Sequence, residues 1–223
     1  MRQFSTKVLT NQPGINPRIG QIIERNLRAK SQYLISSNVL EICQKIKLEQ
    51  KEGTPKIILD SGCGTGDSTL NISEIYNDYL VIGVDKSPKR LNQALKKTRP
   101  ANVRFFRANL VEFWYGLIST DVTIEANFIF YPNPWPKEKH LKKRWHCHPI
   151  MVLLPELSNY IELRTNWYIY ADEFRTCLTK ITNSPIKLER IYPTKPISGF
   201  EKKYLESKHE LFRSTYGNLM RAL

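Results

Sequence analysis

The chain has 223 residues, 41% hydrophobic and 25% charged, a composition that supports one folded core and excludes a disordered or low-complexity protein. Thirty-four Lys and Arg against 21 Asp and Glu give a formal net charge of +13, which points to a polyanionic partner, nucleic acid first. No apolar run approaches the ~18 residues of a membrane span, the opening MRQFSTKVLTNQPG has no secretory core, and Cys43, Cys63, Cys147 and Cys177 form no CxxC, so a cytoplasmic protein with reduced thiols and no membrane contact is expected.

Residues 1–55 are polar and basic and predict an N-terminal extension with one long helix from about Arg18 to Lys51, packed on a main domain of residues 56–223. Short apolar runs follow at KIILD (56–60), YLVIGVD (79–85), VRFFRAN (103–109), NFIFYP (127–132) and WYIYAD (167–172), each read as a buried strand. Helix-like stretches, STLNISEIY, SPKRLNQALKK and HPIMVLLPELSNYIEL, lie between them. This alternation predicts an α/β fold, a parallel sheet covered on both faces. IKLERIYP and HELFRSTYG read as two more strands with no helix between them, an antiparallel finish.

The segment Asp60-Ser61-Gly62-Cys63-Gly64-Thr65-Gly66 follows the first strand and precedes a helix. Gly62, Gly64 and Gly66 would let the backbone turn sharply at the strand's carboxyl end, where open α/β sheets bind ligands. The GxGxG spacing and the acidic residue before it favour S-adenosyl-L-methionine over a dinucleotide, because a carboxylate such as Asp60 suits an ammonium group better than a pyrophosphate. Asp85 ends the second strand, where it can accept both ribose hydroxyls, and Asn109 ends the third, where it can meet the adenine edge. Basic residues concentrate in two places: eight between Lys86 and Arg107 with no acidic one, and Lys137, Lys139, Lys142, Lys143 and Arg144.

Tyr131-Pro132-Asn133-Pro134-Trp135-Pro136-Lys137 stiffens the chain just past the fourth strand, Trp135 offers a flat face to a base, and Lys139, Lys142, Lys143 and Arg144 offer cations to RNA phosphates. This segment resembles the FPDPWPKKRHHKRR signature of the bacterial-type tRNA (guanine-N7) methyltransferases. The glycine loop is similar to that family's EIGCGTG, GVD at 83–85 to its GIE, Ala171-Asp172 to its Thr-Asp at the fifth strand end, and Ser198-Gly199-Phe200-Glu201 to its terminal TxFE. The resemblance implies a Rossmann-like seven-stranded methyltransferase sheet with helices on both faces, S-adenosylmethionine as cofactor and a guanine in the variable loop of tRNA as target. It implies cofactor contacts from Asp60, Asp85, Asn109 and Asn133, and substrate contacts from Lys137, Asp172, Ser198, Gly199, Phe200 and Glu201.

Asn133 stands where the family has aspartate, Ala171 and Ser198 where it has threonine, and Arg164-Thr165 where it has a glycine pair, the mark of a divergent member. Guanine N7 carries a lone pair and no proton, so methyl transfer needs positioning and electrostatics more than a base. Asn133 and Asp172 are the expected catalytic residues, with Asp172 and Glu201 accepting the N1–H and N2 amine of the base. Two other readings remain: an amino-methyltransferase in which the Asn133 carbonyl takes the exocyclic amine, and an RNA-binding paralogue with lost or partner-dependent turnover. A monomer or homodimer is expected, with room for a partner subunit. His140, His146, Cys147 and His148 cluster in sequence at spacings that do not suit a helical zinc site, so no metal is expected.

Overall fold

The computed structural model describes residues 5–29, 31–51 and 56–219. Its elements run α1 (Ile19–Arg28), α2 (Ser37–Lys51), β1 (Ile57–Ser61), α3 (Asp67–Ile75), β2 (Leu80–Asp85), α4 (Pro88–Leu95), β3 (Val103–Arg107), α5 (Leu110–Ser119) and β4 (Ile124–Phe130). Three 3-10 turns between Glu138 and Leu153 lead to α6 (Leu154–Leu157), β5 (Ser158–Thr165), α7 (Tyr168–Thr182), β6 (Lys187–Ile191), α8 (Gly199–Glu206) and β7 (Leu211–Tyr216). The sheet has the order β3-β2-β1-β4-β5-β7-β6. β1 pairs in parallel with β2 and β4, β2 with β3 likewise, and β6 with β7 antiparallel, so the expected Rossmann-like sheet with an antiparallel finish is present.

The elements fall into two compact units: Met1–Ser31, Tyr131–Val152 and Glu162–Tyr216 form the first, and Gln32–Phe130, Leu153–Ile161 and Gly217–Leu223 the second. In the second unit every residue of β1 and β2 is buried, as largely apolar runs between two helical layers should be, with Asp60 and Asp85 the charged exceptions near their carboxyl ends. β3 shows both layers by alternation. The Phe105 ring lies beside Ala94 of α4 in the space that a side chain on Gly66 would need, while Arg104 and Phe106 line a cavity with Ile42 and Ile46 of α2. Ser87 caps α4 by accepting from the Arg90 amide, with Pro88 at the first helical position, and Asn109 caps α5 by accepting from Val111.

Four expectations change, and a fifth falls outside the described residues. The single helix from Arg18 to Lys51 is two, because Ala29 leaves helical geometry and Ser36 and Ser37 open a new helix. The expected domain boundary near residue 55 falls at residues 52–55, outside the described residues. WYIYAD is not a strand but the start of α7: Tyr170, Ala171, Phe174, Cys177 and Leu178 are buried at helical spacing. The fifth strand lies earlier, starting within the stretch read as a helix and ending two residues past it, where buried Glu162 and Arg164 break the apolar pattern yet satisfy each other at 2.6 Å. Finally, α8 separates the last two strands, its cap Ser198 accepting from the Glu201 amide at 3.2 Å.

Candidate functional site

In the second unit, the β1 strand ends in a loop that only glycine suits: Gly62, Gly64 and Gly66 have φ of 88°, 57° and 80°. A Cβ on Gly66 would also come within 2.7 Å of Ala94 Cβ. The loop folds back over the end of β2, the Gly62 and Cys63 amides donating to the Val84 carbonyl and the Gly64 amide to Asp85 Oδ2 at 3.1 Å. Asp85 also accepts from the Ser87 amide at 2.7 Å and from Arg90 at 3.0 Å. Arg90 is half-exposed, so its guanidinium can leave and free a buried carboxylate for a diol. Asp60 is 1% exposed and accepts from the Ser68 and Thr69 hydroxyls, both at 2.6 Å. Burial pushes its carboxyl up to about 6 against the pull of those hydroxyls.

Beside this loop, Lys86, Arg107, Ala108 and Asn109 line a cleft of about 440 Å³ with Ser36, Asn38 and Val39, a volume suited to a small ligand. Asn109 spends its carbonyl on the cap of α5 and keeps its amide for another acceptor. A bent glycine backbone, two buried carboxylates and a polar cleft at the carboxyl ends of parallel strands fit S-adenosylmethionine, whose ammonium and ribose diol both want carboxylate partners.

In the first unit, the proline loop is strained and anchored. Tyr131 and Trp135 have φ of 50° and 46°, a left-handed geometry that non-glycine residues hold only where their surroundings fix it. Tyr131 is fixed at both ends: its amide donates to the Arg164 carbonyl at 2.7 Å and its hydroxyl to Glu201 at 2.6 Å. Glu201 further accepts from Arg164 at 3.0 Å and from the Ile197 amide at 2.6 Å. Trp135 is held through its carbonyl by Arg144 Nε at 3.2 Å, and the Pro136 carbonyl by Arg144 Nη2 at 3.4 Å.

Arg144 is the largest correction to the sequence expectation. It is fully buried rather than presented to phosphates, paired with Glu173, stacked 4.7 Å over Trp167 and donating to Gln12 at 3.0 Å. Glu173, equally buried, also takes the Asn16 amide at 3.0 Å and His146 at 2.8 Å. Burial pushes the Glu173 carboxyl upward, but His146, Asn16 and Arg144 together outweigh it and hold the group at about 2. Sequence reading missed Glu173. Its signal was there only once α7 is seen as a helix: a lone carboxylate within the buried stripe of Tyr170, Ala171, Phe174 and Cys177.

The remaining expected residues sort by exposure. Asn133, Lys137, Lys139, Lys142 and Lys143 are exposed, with the Lys143 ammonium 4.5 Å from the Trp135 ring centre. Phe200 is 52% exposed and stacks on Tyr204, which stacks in turn on His209. Asp172 is on α7, not at the fifth strand end, and accepts two hydrogen bonds from Arg175 at 2.9 and 2.6 Å. The strand end is occupied by Thr165 and Asn166, the latter 2.9 Å from His209. Ser198 and Gly199 form the start of α8, and Glu201 is buried with both oxygens engaged, whereas Asp172 is engaged through Oδ1 alone.

A family model described as "Putative methyltransferase" matches residues 54–214. Curated relatives named tRNA (guanine-N(7)-)-methyltransferase include one from Methylobacillus flagellatus, 30% identical over 55% of this chain and 53% of that protein, and one from Leifsonia xyli, 24% identical over 71% and 74%. The chain thus spans about half the length of the first of these relatives. Among solved structures, an antibiotic-related methyltransferase superposes with a TM-score of 0.58 at 16% identity, covering 83% of this chain and 96% of that one, a likeness of fold. The chain therefore belongs to the methyltransferase family that this model describes, as a divergent member similar to bacterial tRNA (guanine-N(7)-)-methyltransferases.

Proposed function

We propose that this protein transfers the methyl group of S-adenosylmethionine to N7 of a guanine in tRNA, within the variable loop as the resemblance implies. The observation that carries the proposal is the proline-tryptophan loop with its dedicated anchor: Arg144 grips two successive carbonyls of a segment that resembles the signature of the tRNA (guanine-N7) methyltransferases. The cofactor supplies a methyl group on a positively charged sulfur. Asp85, once released by Arg90, accepts the ribose hydroxyls; Asp60 and the bent glycine backbone suit the methionine end; and Asn109 meets the adenine edge.

On the substrate side no proton has to be removed from N7, so the loop's task is to hold the base still. Trp135 and Phe200 offer flat faces, while Lys137, Lys139, Lys142 and Lys143 offer exposed cations to phosphates. Glu201 can serve the guanine edge only by exchanging its present partners, Tyr131, Arg164 and the Ile197 amide, whereas Asp172 pairs with Arg175 through Oδ1 alone and has Oδ2 to offer the base. Acting on tRNA places the protein in the cytoplasm, and no helix among the described residues is long and apolar enough to cross a membrane. Incubating the purified chain with S-adenosylmethionine and unmodified tRNA, then analysing the nucleosides, tests the proposal: 7-methylguanosine supports it, and its absence from a folded, cofactor-binding protein counts against it.

A further inference from the structure

Elsewhere in the second unit, lysines stand against carboxylates: Lys45 with Glu41, Lys47 with Asp121, Lys56 with Glu125. Residues 86–107 depart from this pattern, holding eight Lys and Arg and no Asp or Glu. Two of the eight borrow carboxylates from outside the stretch, Arg90 from Asp85 and Lys97 from Asp67. Lys86, Lys89, Lys96, Arg99, Arg104 and Arg107 are exposed and form no ion pair among the described residues.

Their placement is ordered. β3 is the edge of the sheet, and its Arg107 is in register with Asp85 of β2, so Lys86 and Arg107 adjoin at the carboxyl ends of two strands and line the same cleft as Asn109. From there Lys89 and Lys96, seven positions apart, lie along one side of α4, opposite the buried Leu91 and Ala94, and Arg99 follows in the next loop. Glu112 is the one carboxylate lining the cleft beside Lys86 and Arg107, so the row carries an excess of positive charge; that excess costs self-repulsion, and a phosphate backbone relieves the cost while releasing its own counterions. The row also begins at the strand ends where the cofactor cleft lies, so a strand of nucleic acid following it arrives at the cleft.

We propose that the row from Arg107 and Lys86 along α4 to Arg99 is a second phosphate-docking surface for the tRNA backbone, in addition to Lys137, Lys139, Lys142 and Lys143. It rests on tRNA being the substrate. The test compares wild type with the triple variant Lys89→Gln, Lys96→Gln, Arg99→Gln, in the full chain, for binding of an unmodified tRNA transcript across a KCl series. Lys86, Arg90 and Arg107 stay intact, and calorimetry with S-adenosylmethionine reports whether the cofactor site survives.

The slope of log affinity against log salt should flatten by about two to three, roughly one for each lost contact, with cofactor affinity unchanged. A slope equal to that of wild type overturns the proposal. If wild type forms 7-methylguanosine while the variant keeps the full slope, only the docking surface falls. If the variant's slope flattens but wild type yields no 7-methylguanosine, the docking surface stands and the assigned reaction falls. Failure of wild type to bind tRNA overturns both.

Discussion

Asp60 and Asp85 both lie at the carboxyl ends of inner strands of the second unit, yet their partners differ. Asp85 keeps an arginine and two amides for company, whereas Asp60 has only hydroxyls and a carboxyl raised to about 6. A carboxyl whose pKa is higher in the folded state binds its proton more tightly there, so its contribution is fully present below about pH 4 and is lost as pH rises through about 6. Without cofactor, wild type should therefore lose roughly 2 kcal/mol more unfolding free energy than Asp60→Asn between about pH 4 and pH 7. Urea titrations at the two pH values check this, and parallel curves would remove Asp60 as the cause. For Asp85→Ala, calorimetry should show S-adenosylmethionine binding weakened by about 1.5 to 3 kcal/mol, because two hydroxyls lose a charged acceptor; unchanged affinity would take Asp85 out of the site. Asn133→Asp adds a negative charge that steadies the positive charge appearing on guanine during N7 alkylation, so single-turnover 7-methylguanosine formation should hold or rise. Loss of activity, with folding and cofactor binding intact, would instead indicate a reaction that needs the amide, as methylation of an exocyclic amine does.

At the scale of elements, the anchor of the proline loop is a buried ion pair, and such a pair is most costly when half of it is removed. Glu173→Ala should destabilise the protein by about 3 to 5 kcal/mol, since Arg144 stays buried without its carboxylate, while the double change Glu173→Leu with Arg144→Met should cost clearly less. Chemical denaturation midpoints decide, and equal costs would show that the pair is held by packing alone. The lysines of the following turn behave differently: charge reversal at Lys139, Lys142 and Lys143 should lower the salt slope of tRNA binding by about one each, and an unaltered slope would mean that this turn does not meet phosphates. What could be read from sequence follows the same division. β1, β2 and β4 and the glycine loop were legible because short, mostly apolar runs and a glycine-rich turn have few alternatives. β5 and α7 were misread because Glu162 and Arg164 are buried charges that satisfy each other, and because WYIY suits a strand as well as a helix until the burial stripe is seen. Arg144 looked like one more surface cation, since its partner lies 29 residues away and nothing local announces the pairing.

For the whole molecule, membership of a methyltransferase family is what the matched residues show, and the charge of +13 and the proline-tryptophan loop support the proposed nucleic-acid substrate. By the resemblance, Asn133 stands where relatives carry an aspartate, so turnover should be slower than in a protein with aspartate there. The most direct measurement uses the full chain, methyl-labelled S-adenosylmethionine and unmodified tRNA, with the labelled nucleoside identified by mass spectrometry. We expect the label in 7-methylguanosine; label on an exocyclic amine, or none on any tRNA despite measured cofactor binding, would contradict the assignment.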